Sequence, residues 1–222
     1  MSDLSVDDYI ERLNDPNPDV RIYAVWALGR QRDPRIIPPL IRALNDTDSA
    51  VRARAAESLG NFRSLETLAP LLQALNDGEA KVRAQAVASL GRQGESWVTD
   101  RVIVCLRDEN APVRGAAAEA LGALIDRRAI EPLVGSLFHD EDDDVRYYAA
   151  KSLKTLGGAA TVDALMAALA DDATPSARRY CAEIFAEAGD RRAAAVLRRL
   201  AQDAEEEVRE TAQWALKRLG VA

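Results

Sequence analysis

Residues 46–75 read DTDSAVRARAAESLGNFRSLETLAPLLQAL. Val51-Arg52 opens one apolar run, Leu59 and Gly60 end it, and a second run follows to Leu75. The Val-Arg step recurs at Val20-Arg21, Val82-Arg83, Val113-Arg114, Val145-Arg146 and Val208-Arg209, and Ala177-Arg178 fills the one gap. The successive spacings are 31, 31, 31, 32, 32 and 31 residues, so the chain is seven copies of one unit. Eight residues after each Val stands Leu28, Leu59, Leu90, Leu121, Leu153, Phe185 or Leu216, and a second series runs Leu13, Leu44, Leu75, Leu106, Leu137, Leu169 and Leu200.

Each unit reads as two helices. Ile36, Ile37, Leu40, Ile41 and Leu44 are spaced as one face of a first helix. Pro39, Pro70 and Pro132 share a register, which predicts a first-turn position or a shared kink. The second helix opens on cap candidates three residues before the Val: Asn17, Asp48, Asn110, Asp142 and Thr174. Gly29, Gly60, Gly91 and Gly122 near its end, and Gly94, Gly157, Gly189 and Gly220 at the turn, predict close helix approach or a left-handed cap. No β-type alternation occurs. Neither helix can bury its apolar face alone, so the repeats must stack.

The composition, 48% apolar and 29% charged, is that of an ordered chain rather than a disordered one. No apolar run approaches the ~20 residues that span a bilayer. The acidic N-terminus has no signal-peptide pattern, and Cys105 and Cys181 have no disulfide or metal spacing, so a cytoplasmic location is expected. A net charge of −7 argues against nucleic acid as the main ligand.

The stretches 46–75 and 108–137 fit x-D-x-x-x-x-V-R-x-x-A-x-x-A-L-G-x-x-x-D-x-x-A-I-x-P-L-I-x-A-L, which resembles the short HEAT-like repeats named after phycobilisome lyases. The resemblance covers essentially the whole chain. It implies an all-α, right-handed α-solenoid (superhelix) of seven two-helix HEAT-like repeats of about 31 residues, one domain over 1–222. The repeats fall near 1–32, 33–63, 64–94, 95–126, 127–158, 159–189 and 190–222.

An Asp lies six residues before every repeat Arg: Asp15/Arg21, Asp46/Arg52, Asp77/Arg83, Asp108/Arg114, Asp140/Arg146, Asp172/Arg178 and Asp203/Arg209. A guanidinium fork in the first turn of the second helix can bridge its own loop and the neighbouring one, so the pairs belong to the architecture. Cys105 and Cys181 occupy slots held elsewhere by Ala, as buried packing residues. His139, the one histidine, opens the acidic segment 139–144; two of its four aspartates have structural duties, so a solvated loop is expected and no metal or other cofactor. One histidine also cannot supply the His-Glu pairs that the HEAT-type deoxyhypusine hydroxylases need for di-iron.

In repeats of the resembled kind the second helices line the concave face. Outward slots should lie two, three and six residues after the repeat Val, with seventh and tenth positions flanking. They hold Ile22, Tyr23 and Trp26; Ala53, Arg54 and Glu57; Ala84, Gln85 and Ala88; Gly115, Ala116 and Glu119; Tyr147, Tyr148 and Lys151; Arg179, Tyr180 and Glu183; Glu210, Thr211 and Trp214. Six of the eight Tyr and Trp residues fall here, with Arg30, Arg92 and Arg218 at the flanking tenth position. Tyr, Trp and Arg are the side chains that anchor protein partners. The expected partner-binding set is Tyr23, Trp26, Arg30, Arg54, Glu57, Gln85, Arg92, Glu119, Tyr147, Tyr148, Lys151, Arg179, Tyr180, Glu183 and Trp214. Mixed charge suits a protein better than a polyanion. Trp97, at the start of a first helix, lies off this face.

No phosphate loop, metal cluster or nucleophile–base pair is present, so the expected function is a non-catalytic binding scaffold for another protein, with no catalytic residue. The resemblance implies one alternative, a bilin lyase-type protein that cradles a bilin and its phycobiliprotein, alone or as one subunit of a pair.

Overall fold

The computed structural model describes residues 4–31, 33–169 and 173–221. Among these it contains fourteen α-helices and no strand. The chain divides into two compact units, Met1–Leu124 and Ile125–Ala222.

The first unit holds α1 (Val6–Arg12), α2 (Pro18–Gly29), α3 (Ile37–Ala43), α4 (Ser49–Leu59), α5 (Leu65–Ala74), α6 (Ala80–Gln93), α7 (Thr99–Val104) and α8 (Ala111–Leu124). Each odd-numbered helix packs on the next, and the even-numbered helices pack in series, α2 on α4, α4 on α6 and α6 on α8. The second unit holds α9 (Ile130–His139), α10 (Asp143–Leu156), α11 (Gly158–Ala168), α12 (Pro175–Ala188), α13 (Ala194–Leu200) and α14 (Glu206–Leu219). Its pairs are α9–α10, α11–α12 and α13–α14, with α10, α12 and α14 in series. Each pair is one repeat.

The inward slots are dry. Ala24, Ala55, Ala86, Ala117, Ala149, Cys181 and Ala212 occupy one register and are all fully buried, and the Leu or Phe four residues later is buried in every repeat. A methyl-sized residue there lets one helix of a pair lie close against its partner. Asn17, Asp48, Asp142 and Thr174 accept first-turn N–H groups as cap residues. Asn110 stands at the start of α8, where its carbonyl accepts from Val113 and Arg114.

The two glycine registers do different jobs. A Cβ on Gly29 would stand 2.6 Å from that of Ser58, and one on Gly91 would stand 2.7 Å from that of Ala120. These positions bring consecutive second helices together, close enough for Ser58 to donate to the Val25 carbonyl at 3.3 Å and Ser89 to that of Ala56 at 2.8 Å. Gly94, Gly157, Gly189 and Gly220 instead have positive φ at helix ends. Ile125 fills that register with φ 52°.

The prolines divide likewise. Pro39 and Pro132 are in the first turns of α3 and α9, but Pro70 is inside α5, which starts earlier because Ser64 caps it and no 3-10 turn comes first. In repeats 2 and 5 the turns Pro34–Ile36 and Arg127–Ala129 fill that space.

The Asp-Arg series is a ladder. Arg21, Arg52 and Arg83 in the first unit and Arg178 in the second each fork, through Nε and Nη2, onto the Asp carboxylate of the following repeat: Asp46, Asp77, Asp108 and Asp203, at 2.6–2.9 Å. Nη1 of Arg21, Arg52, Arg83 and Arg209 donates back to the backbone carbonyl of its own loop's Asp, at 2.8–2.9 Å. Each carboxylate also accepts the backbone N–H two residues on, as Asp77 does from Glu79 at 2.9 Å. Asp172 lies outside the described residues. Asp126–Arg128 and Asp190–Arg192, like Asp33–Arg35, form a separate clamp that caps a 3-10 turn.

Candidate functional site

None of the third- and sixth-position slots of the second helices is buried. The second-position slot differs: Ala53 is 2% exposed and Gly115 is buried. This corrects the expectation that every such slot faces out. Their side chains are too short to rise past the tightly packed helix backbones, whereas Tyr147 at the same register is 48% exposed.

In the first unit, three aromatic rings form a row. Tyr23 lies 5.5 Å from Trp26, centroid to centroid, and 6.1 Å from Tyr9 on α1. The Arg30 guanidinium covers Trp26 at 5.1 Å. The floor of this face is self-neutralised: Arg54 pairs with Glu57 one turn on, and Arg92 donates to the Glu57 carbonyl at 3.1 Å and to the Ser89 hydroxyl at 2.7 Å. Gln85 is half-buried and Glu119 exposed.

In the second unit, Tyr147 meets Tyr148 edge-on at 5.4 Å and faces Tyr180 on α12 at 6.4 Å. Tyr147 and Tyr180 wall a groove of about 340 Å³ between α10 and α12, floored by Ala150. Cations cover the rings, Lys151 over Tyr148 at 5.7 Å and Arg179 over Tyr180 at 4.5 Å. Arg179 also holds Glu183 at 2.6 Å. At the far end Lys154 bonds Glu187 at 2.8 Å, and that carboxylate holds the ammonium above the usual lysine range. Trp214 on α14 carries Arg218 at 5.5 Å, and Arg218 is anchored to the Ala186 carbonyl at 3.2 Å.

The arrangement offers stacking surfaces and neutralised charge rather than reactive groups. Burial pushes the Cys105 thiol up to about 11, helped by the Asp108 charge, and burial also raises that of Cys181. Thiols so shifted stay protonated near neutral pH. His139 ends α9, exposed, with its ring 6.4 Å from that of Phe138, while Asp142 caps α10 and Asp143 pairs with Arg146. Among the described residues no group of three or more His, Cys, Asp or Glu side chains is placed to hold a metal ion. No helix among them is long and apolar enough to cross a membrane. Trp97 is in the 3-10 turn Ser96–Val98, 54% exposed and away from the second-helix face.

Sequence reasoning missed Tyr9 and Lys154 as neighbours of the aromatic sets, and Arg63 as a neighbour of Arg30 at one cavity. Tyr9 and Arg63 lie outside the second-helix register; Lys154 replaces a glycine of the first repeats, and that departure was a readable signal.

Among solved structures, a chain of the complex of CpcE and CpcF of phycocyanin lyase from Nostoc sp. PCC7120 is 23% identical, over 99% of this chain and 88% of that one, with a TM-score of 0.64. The Escherichia coli protein YibA is 20% identical over 99% and 93%, with a TM-score of 0.65. A chain of the Kap95p–RanGDP complex is 16% identical over 96% of this chain and 34% of that one, with a TM-score of 0.72. At these identities the likeness is one of fold. No curated protein sequence matches the chain. The PBS lyase HEAT-like repeat pattern matches residues 145–171. The HEAT-repeat pattern matches residues 6–91, 68–154 and 162–222, over nearly every helix described above, and the chain therefore belongs to the HEAT-repeat family.

Proposed function

We propose that the chain is a non-catalytic scaffold that holds a protein partner on the outward faces of its second helices. The observation that carries this reading is the Tyr147–Tyr148–Tyr180 cluster, of which Tyr147 and Tyr180 wall an open groove. Rigid aromatic side chains on helices offer large contact area at small entropic cost. HEAT repeats generally mediate protein binding, which agrees with it. The test is affinity purification with wild type and with Tyr147, Tyr148 and Tyr180 changed together to Ala, after circular dichroism has shown the variant folded. Partners lost only from the variant support the reading; an unchanged set overturns it.

A bilin-handling role is the second reading. It is favoured by the PBS lyase HEAT-like repeat match over residues 145–171, the segment that contains Tyr147, Tyr148 and Lys151. Adding a bilin, with and without a phycobiliprotein apoprotein, should then shift the bilin absorption. An unshifted spectrum under both conditions removes this reading.

A further inference from the structure

A second cavity, of about 750 Å³, opens in the first unit beside the turns that follow α2 and α4. Arg30 and Arg63 both line it, with Gln31, Phe62 and Ser64, and among the described residues no carboxylate does. Among the described residues neither arginine has an ion-pair partner. In the same unit Arg21, Arg35, Arg52, Arg54 and Arg83 are paired, whereas Arg12 and Arg42, like Arg30 and Arg63, have no ion pair among the described residues. Asp33, beside the cavity in sequence, is spent on Arg35 at 2.7 Å.

Arg30 is placed for an external anion. Its guanidinium carbon lies over the Trp26 ring, 5.1 Å from the centroid, and a cation held on a ring face keeps N–H donors for a carboxylate. The Ser64 hydroxyl adds a donor, and Phe62 an apolar wall. From Trp26 the aromatic row continues through Tyr23 to Tyr9. We infer that this cavity takes a carboxylate side chain from a short acidic segment of a protein partner, whose neighbouring apolar side chains lie along Trp26 and Tyr23. The inference rests on the scaffold reading and names the chemistry of its partner. The chain's net charge of −7 repels an extended polyanion, whereas a brief acidic segment meets only the local positive field.

The probe is the acetylated peptide Leu-Glu-Glu-Leu-Glu, titrated against the full chain with Trp97 and Trp214 changed to Phe, so that Trp26 alone reports. Its fluorescence should change saturably, and the Leu-Lys-Lys-Leu-Lys peptide should leave it unchanged. Arg63→Glu, which leaves Arg30 on Trp26, should weaken binding about tenfold or more, and about 0.5 M salt should do likewise. No saturable change, equal affinity in Arg63→Glu, or saturation by inorganic phosphate at lower concentration than the peptide would each overturn the inference. Partner loss from the triple tyrosine variant is a separate readout, so failure here leaves the scaffold reading standing.

Discussion

Arg83 ties two loops together: its Nε and Nη2 each lie 2.8 Å from an Asp108 carboxylate oxygen, and its Nη1 lies 2.9 Å from the Asp77 carbonyl. Both side chains are mostly buried, at 10% and 13% exposure. Removing the guanidinium leaves a desolvated carboxylate without its counter-charge, held by the Asn110 N–H, and the Asp77 carbonyl without its donor. Arg83→Ala should therefore lower unfolding free energy by about 3 kcal/mol in urea titrations. Lys cannot reproduce the fork, so Arg83→Lys should recover only part of that. Arg35→Ala, at a clamp whose arginine is 66% exposed, should change the unfolding free energy far less.

The same ladder sets an acid limit. The Arg52, Arg83 and Arg178 forks hold the Asp77, Asp108 and Asp203 carboxyls below their ordinary range, against an opposing effect of burial. A carboxyl depressed in the folded state binds its proton more readily in the unfolded one. Its stabilisation is complete above the unfolded value of about 3.9 and is lost as pH falls through the lower folded value. Unfolding free energy should fall progressively below about pH 4–5. In Asp108→Asn the fall should be shallower, from a lower plateau.

Two glycine-to-alanine changes should have opposite signs. In Gly91 the added methyl would stand 2.8 Å from the Ala120 Cα, a backbone atom that cannot swing aside. Parting α6 from α8 should cost about 1–3 kcal/mol, more than the gain of about 1 kcal/mol in helix propensity. Gly135, inside α9, has nothing within 4 Å of the added carbon, so Gly135→Ala should stabilise by about 0.5–1 kcal/mol. Thermal unfolding of the two variants in parallel reads both signs.

Ile125 holds φ 52° where four other repeats place glycine with positive φ. A β-branched residue there is strained, and its side chain, 68% exposed, gains little from burial in return. Ile125→Gly should raise unfolding free energy by about 1 kcal/mol despite the greater freedom of unfolded glycine. An unchanged or lower melting temperature would show that the strain is relieved in solution.

Much of this was readable because seven copies sample each slot. One alanine says little, but Ala24, Ala55, Ala86, Ala117, Ala149 and Ala212 in one register, with Cys181 among them, mark a buried position, and all are buried. The Arg fork between loops was readable for the same reason. Single residues were less so. Ala53 and Gly115 share a slot with Tyr147, yet their exposure depends on side-chain length against a close-packed backbone, which a register does not encode. Arg63 joins Arg30 at one cavity only through the path of two turns, and Tyr9 reaches Tyr23 from the opposite helix of its repeat.

Arg21, Arg52 and Arg83 each take a carbonyl from their own repeat and a carboxylate from the next, so the joints of the first unit share one plug and socket. Excising residues 46–76, one 31-residue period, would bring Asp77 to Arg21 in place of Asp46, and Ser89 to Gly29 in place of Ser58. The length of such a chain is thus quantised. It can be lengthened or shortened by recombination in whole periods, each new junction inheriting contacts that already exist elsewhere in the stack.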